Sequence, residues 1–196
     1  TGMIVEIDNW VMHTAMDQMS NWYKEGLNTG VLGLNISMKQ LDKLNFLQQL
    51  ETCLTSHDFN SNWLELAITE WQKMKNPEEV ITKLSALNTL GIGISIDDFG
   101  TGYSSLSLLK RLPINRLKID RSFVKDIPND EEDVAIVKAI IALAKSLKLD
   151  LIAEGVETSA QKDFLMDHGC MNIQGHYYTH PLSAEEMHAL LLEQKA

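Results

Sequence analysis

Basic residues are scarce in this chain. Seventeen lysines and arginines face 27 aspartates and glutamates, for a formal charge of −10 and a pI near 5.0. That balance argues against a nucleic-acid polymer as partner, because gripping a phosphate backbone needs a basic surface. An anionic small ligand would need local help, such as metal ions. Cysteine is nearly absent. Cys53 and Cys170 show no metal-like spacing, and an isolated pair in an acidic chain reads as reduced thiols, not a disulfide framework. There is no HExxH or CxxC pattern to hold a soft metal, and the six histidines are scattered. No apolar run approaches the about 18 residues that cross a bilayer, and no signal peptide is visible. The chain opens at Thr1 without a methionine, which reads as a fragment or a processed piece. What remains is 196 residues, 44% of them hydrophobic, enough for one domain with one sizeable core. A cytoplasmic location is expected.

Strand-like runs recur with helix-like segments between them. The strands read as GVLGLNIS (Gly30–Ser37), NWLELAIT (Asn62–Thr69), GIGISID (Gly91–Asp97), NRLKID (Asn115–Asp120), LDLIAEG (Leu149–Gly155) and a short MNIQG (Met171–Gly175). Helical apolar spacing fills the gaps, for example at Val80, Leu84 and Leu87. An opening helix over about Glu6 to Gly26 offers Trp10, Ala15, Met19 and Trp22 as core residues. Asn76-Pro77 starts one helix, and Ser183 with Glu186 makes a capping box for the last. Strands alternating with helices predict a parallel sheet.

Polar residues stand at the C-terminal ends of many of these strands: Asn35, Asp97 with Asp98, Lys118, Glu154 and Gln174. An open doubly wound sheet gathers its ligands at one switch point, whereas a (β/α)8 barrel turns every strand end toward one centre. The wide spread predicts the barrel. Yet only six strands are legible, and such a barrel typically needs about 250 residues. Roughly two strands and a helix are expected to be missing on the N-terminal side.

Taken singly, each residue has a plain structural reading. Asp97-Asp98 followed by Gly100, Thr101 and Gly102 reads as a solvated turn that caps the next helix. Lys118 and Asn35, each between apolar neighbours, read as paired core groups or an exposed strand face. Taken together they form a hard, oxygen-rich set suited to Mg²⁺ or Mn²⁺. Such a set with a lysine fits phosphodiester hydrolysis, in which two cations activate a water and stabilise the phosphorane charge. His176 and His180 flank a strand-end loop and are taken as surface residues.

The motifs LNIS, LELAITE, DDFGTGYSSL, LPINRLKID, IAEGVET and NIQGHYYTHPL resemble, in order and spacing over nearly the whole chain, those of the EAL-domain family. These are the cyclic di-GMP phosphodiesterases of bacterial signalling. The resemblance implies a modified TIM barrel and two Mg²⁺ or Mn²⁺ ions that serve the opening of cyclic di-GMP to 5′-pGpG. It implies Asn35, Asp97, Asp98 and Glu154 as metal ligands, with Asp97 bridging, and Lys118 orienting the attacking water. Glu157 and Gln174 match the outer positions supporting the site, Glu157 among the catalytic residues and Gln174 toward the substrate. Glu70 matches the glutamate that steadies the loop after Asp98, and Phe99, Gly100, Thr101, Gly102 and Tyr103 lie in that loop at the family's dimer interface. Pro181 is placed near the guanine-binding rim. Partners implied are cyclic di-GMP, a second copy through the barrel, and cyclase-type or sensory domains in a parent protein.

Two departures stand out. The Glu-Ala-Leu motif is absent; in the family it lies in a first strand upstream of TGMIVEIDNWVMHTA, where this chain begins, which fits the strand deficit. And the family's Glu-(apolar)-Thr-Glu is here Ala67-Ile68-Thr69-Glu70, so an alanine takes a metal-ligand position. Trp71, where the family has a small residue, is milder. Residues 1–196 are therefore expected to be the C-terminal three quarters of the domain, with little or no hydrolytic activity. The other reading open at this point is a degenerate module that senses cyclic di-GMP without cutting it. An otherwise intact ligand set favours the enzyme; a native Ala67 favours the sensor.

Overall fold

The computed structural model describes residues 3–69, 74, 76–101 and 106–195. Six strands form one all-parallel sheet: β1 (Leu32–Ser37), β2 (Leu64–Thr69), β3 (Gly93–Phe99), β4 (Arg116–Ile119), β5 (Asp150–Ala153) and β6 (Asn172–Ile173). Their order in the sheet is their order in the chain. Each βα unit thus lays its strand beside the last, as in a barrel wall and unlike the reversal of a doubly wound sheet. The result is an α/β partial barrel, with β1 and β6 at its edges. All six expected strands are present. β3 runs further than expected, through Asp98 and Phe99, and Glu154 and Gln174 sit one residue past β5 and β6.

Period-2 alternation explains which side chains go where. In β2, Leu64, Leu66 and Ile68 are buried and join one core cluster with Ile94 and Ile96 of β3 and Leu117 and Ile119 of β4. Helices α3 (Phe46–Ser56), α4 (Pro77–Thr89) and α7 (Glu131–Leu147) complete that core with Leu50, Leu84, Leu87, Val137 and Ile140. Each such residue contributes about 1.5–3 kcal/mol by leaving water. The other face of β2 carries Glu65, Ala67 and Thr69, and the register pairs Asn35 of β1 with Ala67 and Ala67 with Ser95 of β3.

Helix starts are chemically explicit. Asp130 accepts from the amides of Glu132 and Asp133 to open α7. Thr158 and Gln161 form a capping box at α8 (Ser159–Asp167). Ser183 and Glu186 do the same for α9 (Ala184–Lys195), as the sequence predicts. Pro77 stands in the first turn of α4 as expected, but Asn76 gives its side chain to Glu79 and not to the backbone.

The opening helix α1 (Met3–Lys24) needs a correction. Met12, Met16 and Met19 are its buried hydrophobic residues, Ala15 and Trp22 pack at the margin, and Trp10 is 67% exposed. At 3.6 residues per turn Trp10 falls on the opposite side from the methionines, so it cannot share their face. α1 packs against β1. Its C-terminal end meets α9, where His188 stacks on Trp22 and bonds Glu25 at 2.7 Å.

A candidate metal centre at the strand ends

The strand ends converge on a cavity of 810 Å³ lined by Asn35, Ala67, Thr69, Asp97, Asp98, Lys118, Glu154 and Gln174, with Asp8, Val11 and Met12 of α1 on its flank. β3 supplies two ligands by a local irregularity. Ile96 pairs with Leu117 and Phe99 with Ile119, so Asp97 and Asp98 together face Lys118 alone. That is a β-bulge, a device that re-aims side chains. Asp98 sits at φ +50, in the left-handed region. Adjacent side chains on a regular strand point to opposite faces; the bulge turns both carboxylates to one place. Carboxylate oxygens of Asp97, Asp98 and Glu154 all lie within 4.8 Å of one another.

Lys118 sits between them. Its ammonium donates to Asp97 at 3.0 Å and pairs closely with Glu154. Side-chain exposures of 7% for Asp97, 12% for Lys118 and 17% for Glu154 make this a largely desolvated triad. Three carboxylates against one ammonium leave a surplus of two negative charges. The acid–base shifts follow from that surplus. Burial works to deprotonate Lys118, but the hydrogen bonds and charges of Glu154 and Asp97 outweigh it and hold the ammonium above its usual range. Burial raises the Glu154 carboxyl; Lys118 opposes this, and the charges of Asp97 and Asp98 add to it. Asp98 is raised by burial, then by Asp97 and Asp120. A divalent cation would relieve all of this repulsion at once. Three oxygen ligands in one cavity with unneutralised charge fit Mg²⁺ or Mn²⁺ by type.

Backbone bonds fix the far side. The Glu154 N–H donates to the Ile119 carbonyl, the Gln174 N–H donates to Ala153, and the Gln174 carbonyl accepts from Val156. Between them Gly155 turns at φ +69, with the Arg121 stem lying where a Cβ would go. Glu157 stands further out, paired with Arg121 at 2.6 Å. It lines a second cavity of 660 Å³ together with Gln174, His176, His180 and Pro181. Gln174 borders both cavities, so the predicted substrate positions are continuous with the carboxylates. His176 and His180 are exposed, with rings 4.2 Å apart. After the bulge, Phe99 is buried and Gly100 turns at φ +106 against Phe123, while Thr101 donates to the Asp98 carbonyl. Glu70, Gly102 and Tyr103 lie outside the described residues.

Two features of this wall escape the motifs. Glu65 and Arg116 line the same cavity below the carboxylates and pair at 2.6 Å. Ser95, the register neighbour of Ala67, is fully buried, and its hydroxyl has no hydrogen-bond partner among the described residues. The alternating polar face of β2 hinted at the first; neither spacing nor composition pointed to the second.

Comparison with known proteins decides the family. Residues 1–181 match the EAL domain model. The chain belongs to the EAL-domain family. This EAL domain is 42% identical over 187 residues to the bifunctional diguanylate cyclase/cyclic di-GMP phosphodiesterase MucR of Pseudomonas aeruginosa, covering 95% of this chain and 27% of that protein. It is 39% identical over 181 residues to the cyclic di-GMP phosphodiesterase NbdA of the same species, covering 92% and 23%. It thus spans about a quarter of these relatives. Among solved structures it superposes on the MucR phosphodiesterase in complex with c-di-GMP with a TM-score of 0.90, covering 95% of this chain and 76% of that one. On the EAL domain of Mycobacterium smegmatis DcpA the TM-score is 0.91, at 40% identity and 96% and 85% coverage.

Proposed function

We propose that this EAL domain binds cyclic di-GMP across the strand-end cavity through bound Mg²⁺ or Mn²⁺, as one module of a longer signalling protein that pairs through its barrel, and that Ala67 leaves its phosphodiesterase chemistry impaired. The observation that carries the reading is the cluster of Asp97, Asp98 and Glu154 around Lys118 at the mouth of the barrel. Asn35, from β1 two strands away from Asp97, lines the same cavity and completes the group that would hold the metal. When bound, the metal supplies charge for the phosphate oxygens and lowers the pKa of its water.

The chain's own residues set the rest. Lys118, held protonated, is a donor and not a base; it orients a water or a phosphate oxygen. The carboxylates beside it would accept the proton that leaves the water as it attacks phosphorus and the ester bond to the ribose oxygen breaks, while that oxygen departs as a hydroxyl by taking a proton from solvent. Gln174 and Pro181 stand where the nucleotide extends into the second cavity. Ala67 offers a methyl group where Asn35 and Asp97 would share a further ligand, and this favours the second reading, a receptor that binds without cutting.

Titration calorimetry with cyclic di-GMP and Mn²⁺, together with chromatography of the products, tests both parts. Binding with little pGpG is the expected result. Release of pGpG at a rate ordinary for the family would overturn the impairment; absence of binding would overturn the nucleotide reading.

A further inference from the structure

On the outer side of the barrel wall, far from the strand ends in sequence, two helix faces present ligands to each other. α1 carries His13 and Asp17, and α3 carries Cys53 with His57 at its C-cap; each pair is spaced i, i+4 and so shares one helix face. The four meet. Cys53 Sγ lies 3.4 Å from His13 Nδ1, and His13 Nδ1 lies 2.9 Å from His57 Nε2. These three ligand atoms all fall within 4.8 Å of one another. Zinc held tetrahedrally by one thiolate and two imidazoles requires edges of about 3.6 Å between sulfur and nitrogen and about 3.3 Å between nitrogens, from bonds of roughly 2.3 and 2.05 Å. The S–N separation of 3.4 Å and the N–N separation of 2.9 Å lie within about half an ångström of those edges, and the third pair lies inside 4.8 Å.

Outer groups support the same reading. Asp17 Oδ1 stands 3.4 Å from His57 Nδ1, on the ring edge opposite the Nε2 that faces His13, where a carboxylate favours a proton on Nδ1 and leaves Nε2 free to ligate. A carboxylate on the far nitrogen is the usual orienting partner of a metal-bound histidine. Met16 Sδ touches Cys53 Sγ at 3.5 Å and backs the thiol with a polarisable apolar wall. Cys53 is buried, His57 half-buried and His13 exposed. A cavity of 270 Å³ lined by Asn9, Met12, His13, Gln48, Gln49, Thr52 and Cys53 gives an entry path. Burial alone pushes the Cys53 thiol up to about 11, so without a cation it stays protonated.

We propose that His13, Cys53 and His57 form a second metal site, selective for a borderline-soft divalent cation such as Zn²⁺, with Asp17 as its orienting carboxylate. The site takes a different class of ion from the oxygen-rich mouth of the barrel, since thiolate and imidazole select against Mg²⁺ and Mn²⁺. It clamps α1 to α3 and leaves a fourth coordination position open toward solvent.

Co²⁺ is the probe. Titrated into the tag-free protein in excess Mg²⁺, it is expected to raise a near-ultraviolet thiolate-to-Co²⁺ band that Zn²⁺ then abolishes by displacement, and Zn²⁺ is expected to raise the Tm. Cys53→Ala should remove the band and His57→Gln should weaken Co²⁺ binding at least tenfold. Asp17→Asn, an exposed change that spares the fold, should weaken it severalfold and decides the case if the other variants do not fold. No thiolate band, a band that survives Cys53→Ala, or a Co²⁺ band that Zn²⁺ does not displace would overturn the proposal.

Discussion

β4 carries two half-buried cations two residues apart on one face, and they behave differently. Arg116 pairs with Glu65 at 2.6 Å and reaches Asp150 at 3.7 Å. Lys118 pairs with Asp97 and Glu154, with Asp98 alongside. A strand rises about 3.3 Å per residue, so the two lie about 7 Å apart along the wall. At Arg116 the charge is nearly settled, because Asp150 is 70% exposed and water screens it. At Lys118 three carboxylates face one ammonium, with Asp97 and Glu154 desolvated and Asp98 exposed at the rim. Arginine is always charged, and Arg116 makes one hydrogen bond to Glu65; lysine is a compact, movable donor. The lower pair holds the wall together. The upper cluster is built to take up cations.

The largest effect is expected from breaking the lower pair. Arg116→Met leaves Glu65 buried without a partner and should cost about 3–5 kcal/mol by denaturant unfolding. Exchanging both, Glu65→Leu with Arg116→Met, should recover most of that loss, because apolar residues of similar volume replace a buried pair at little cost. If the single variant is as stable as the parent, Glu65 is solvated and the contrast between the two levels fails.

The gap at Ala67 comes next. Ala67→Glu adds a carboxylate between Asn35 and Ser95, its register partners, and gives the Ser95 hydroxyl, which has no partner among the described residues, an acceptor one strand away. Mn²⁺ should bind about a hundredfold more tightly, and pGpG production should rise by a similar factor, the scale of one preorganised charge-stabilising group. Adding Ser95→Ala should return a small part of the gain. Unchanged Mn²⁺ affinity would show that position 67 does not belong to the centre.

Lys118→Met separates binding from chemistry. Removing the ammonium deepens the negative charge, so Mn²⁺ should bind about tenfold more tightly, close to 1.4 kcal/mol by mutual repulsion alone. In the Ala67→Glu background the same change should lower turnover, since the water loses its donor. The metal-free protein should melt earlier, and Mn²⁺ should restore it. Weaker Mn²⁺ binding would mean that Lys118 positions the carboxylates more than it competes with the metal.

The sequence goes far in this protein, and its limits have a physical cause. Alternation in LELAITE and polar residues at successive strand ends are local signals, so the parallel wall and its ring of Asn35, Asp97, Asp98, Lys118 and Glu154 are legible in advance. The bulge that brings Asp97 and Asp98 together, with Asp98 at φ +50, is not, because the Asp97-Asp98 stretch by itself reads as a solvated turn. What escapes is long-range. Glu65 and Arg116 are 51 residues apart, and His13 and His57 are 44 apart. Scattered histidines and a lone thiol carry no motif until two helices bring them face to face. Trp10 was expected in the core because it is large and apolar, and helix phase puts it outside.

A third cation continues the series along the chain and predicts the smallest effect. Arg121, in the short helix α6 (Arg121–Val124) that follows β4, pairs with Glu157 at 2.6 Å, yet the two side chains are 61% and 43% exposed. Water screens such a pair, and holding two long side chains in one geometry costs entropy, so the charge interaction is worth under about 1 kcal/mol. The Arg121 stem also covers Gly155, whose turn carries the chain from Glu154 to Glu157. Arg121→Met keeps that cover and removes the charge; Arg121→Ala removes both. Arg121→Met should shift stability by less than 1 kcal/mol, roughly, and leave Mn²⁺ affinity unchanged. Arg121→Ala should cost slightly more and loosen Mn²⁺ binding only if the stem positions Glu154. Equal behaviour of the two variants would assign Arg121 to its charge and Glu157 to the nucleotide-binding rim, while a large loss in Arg121→Met would extend the desolvated centre one layer further out than the burial of Lys118 implies.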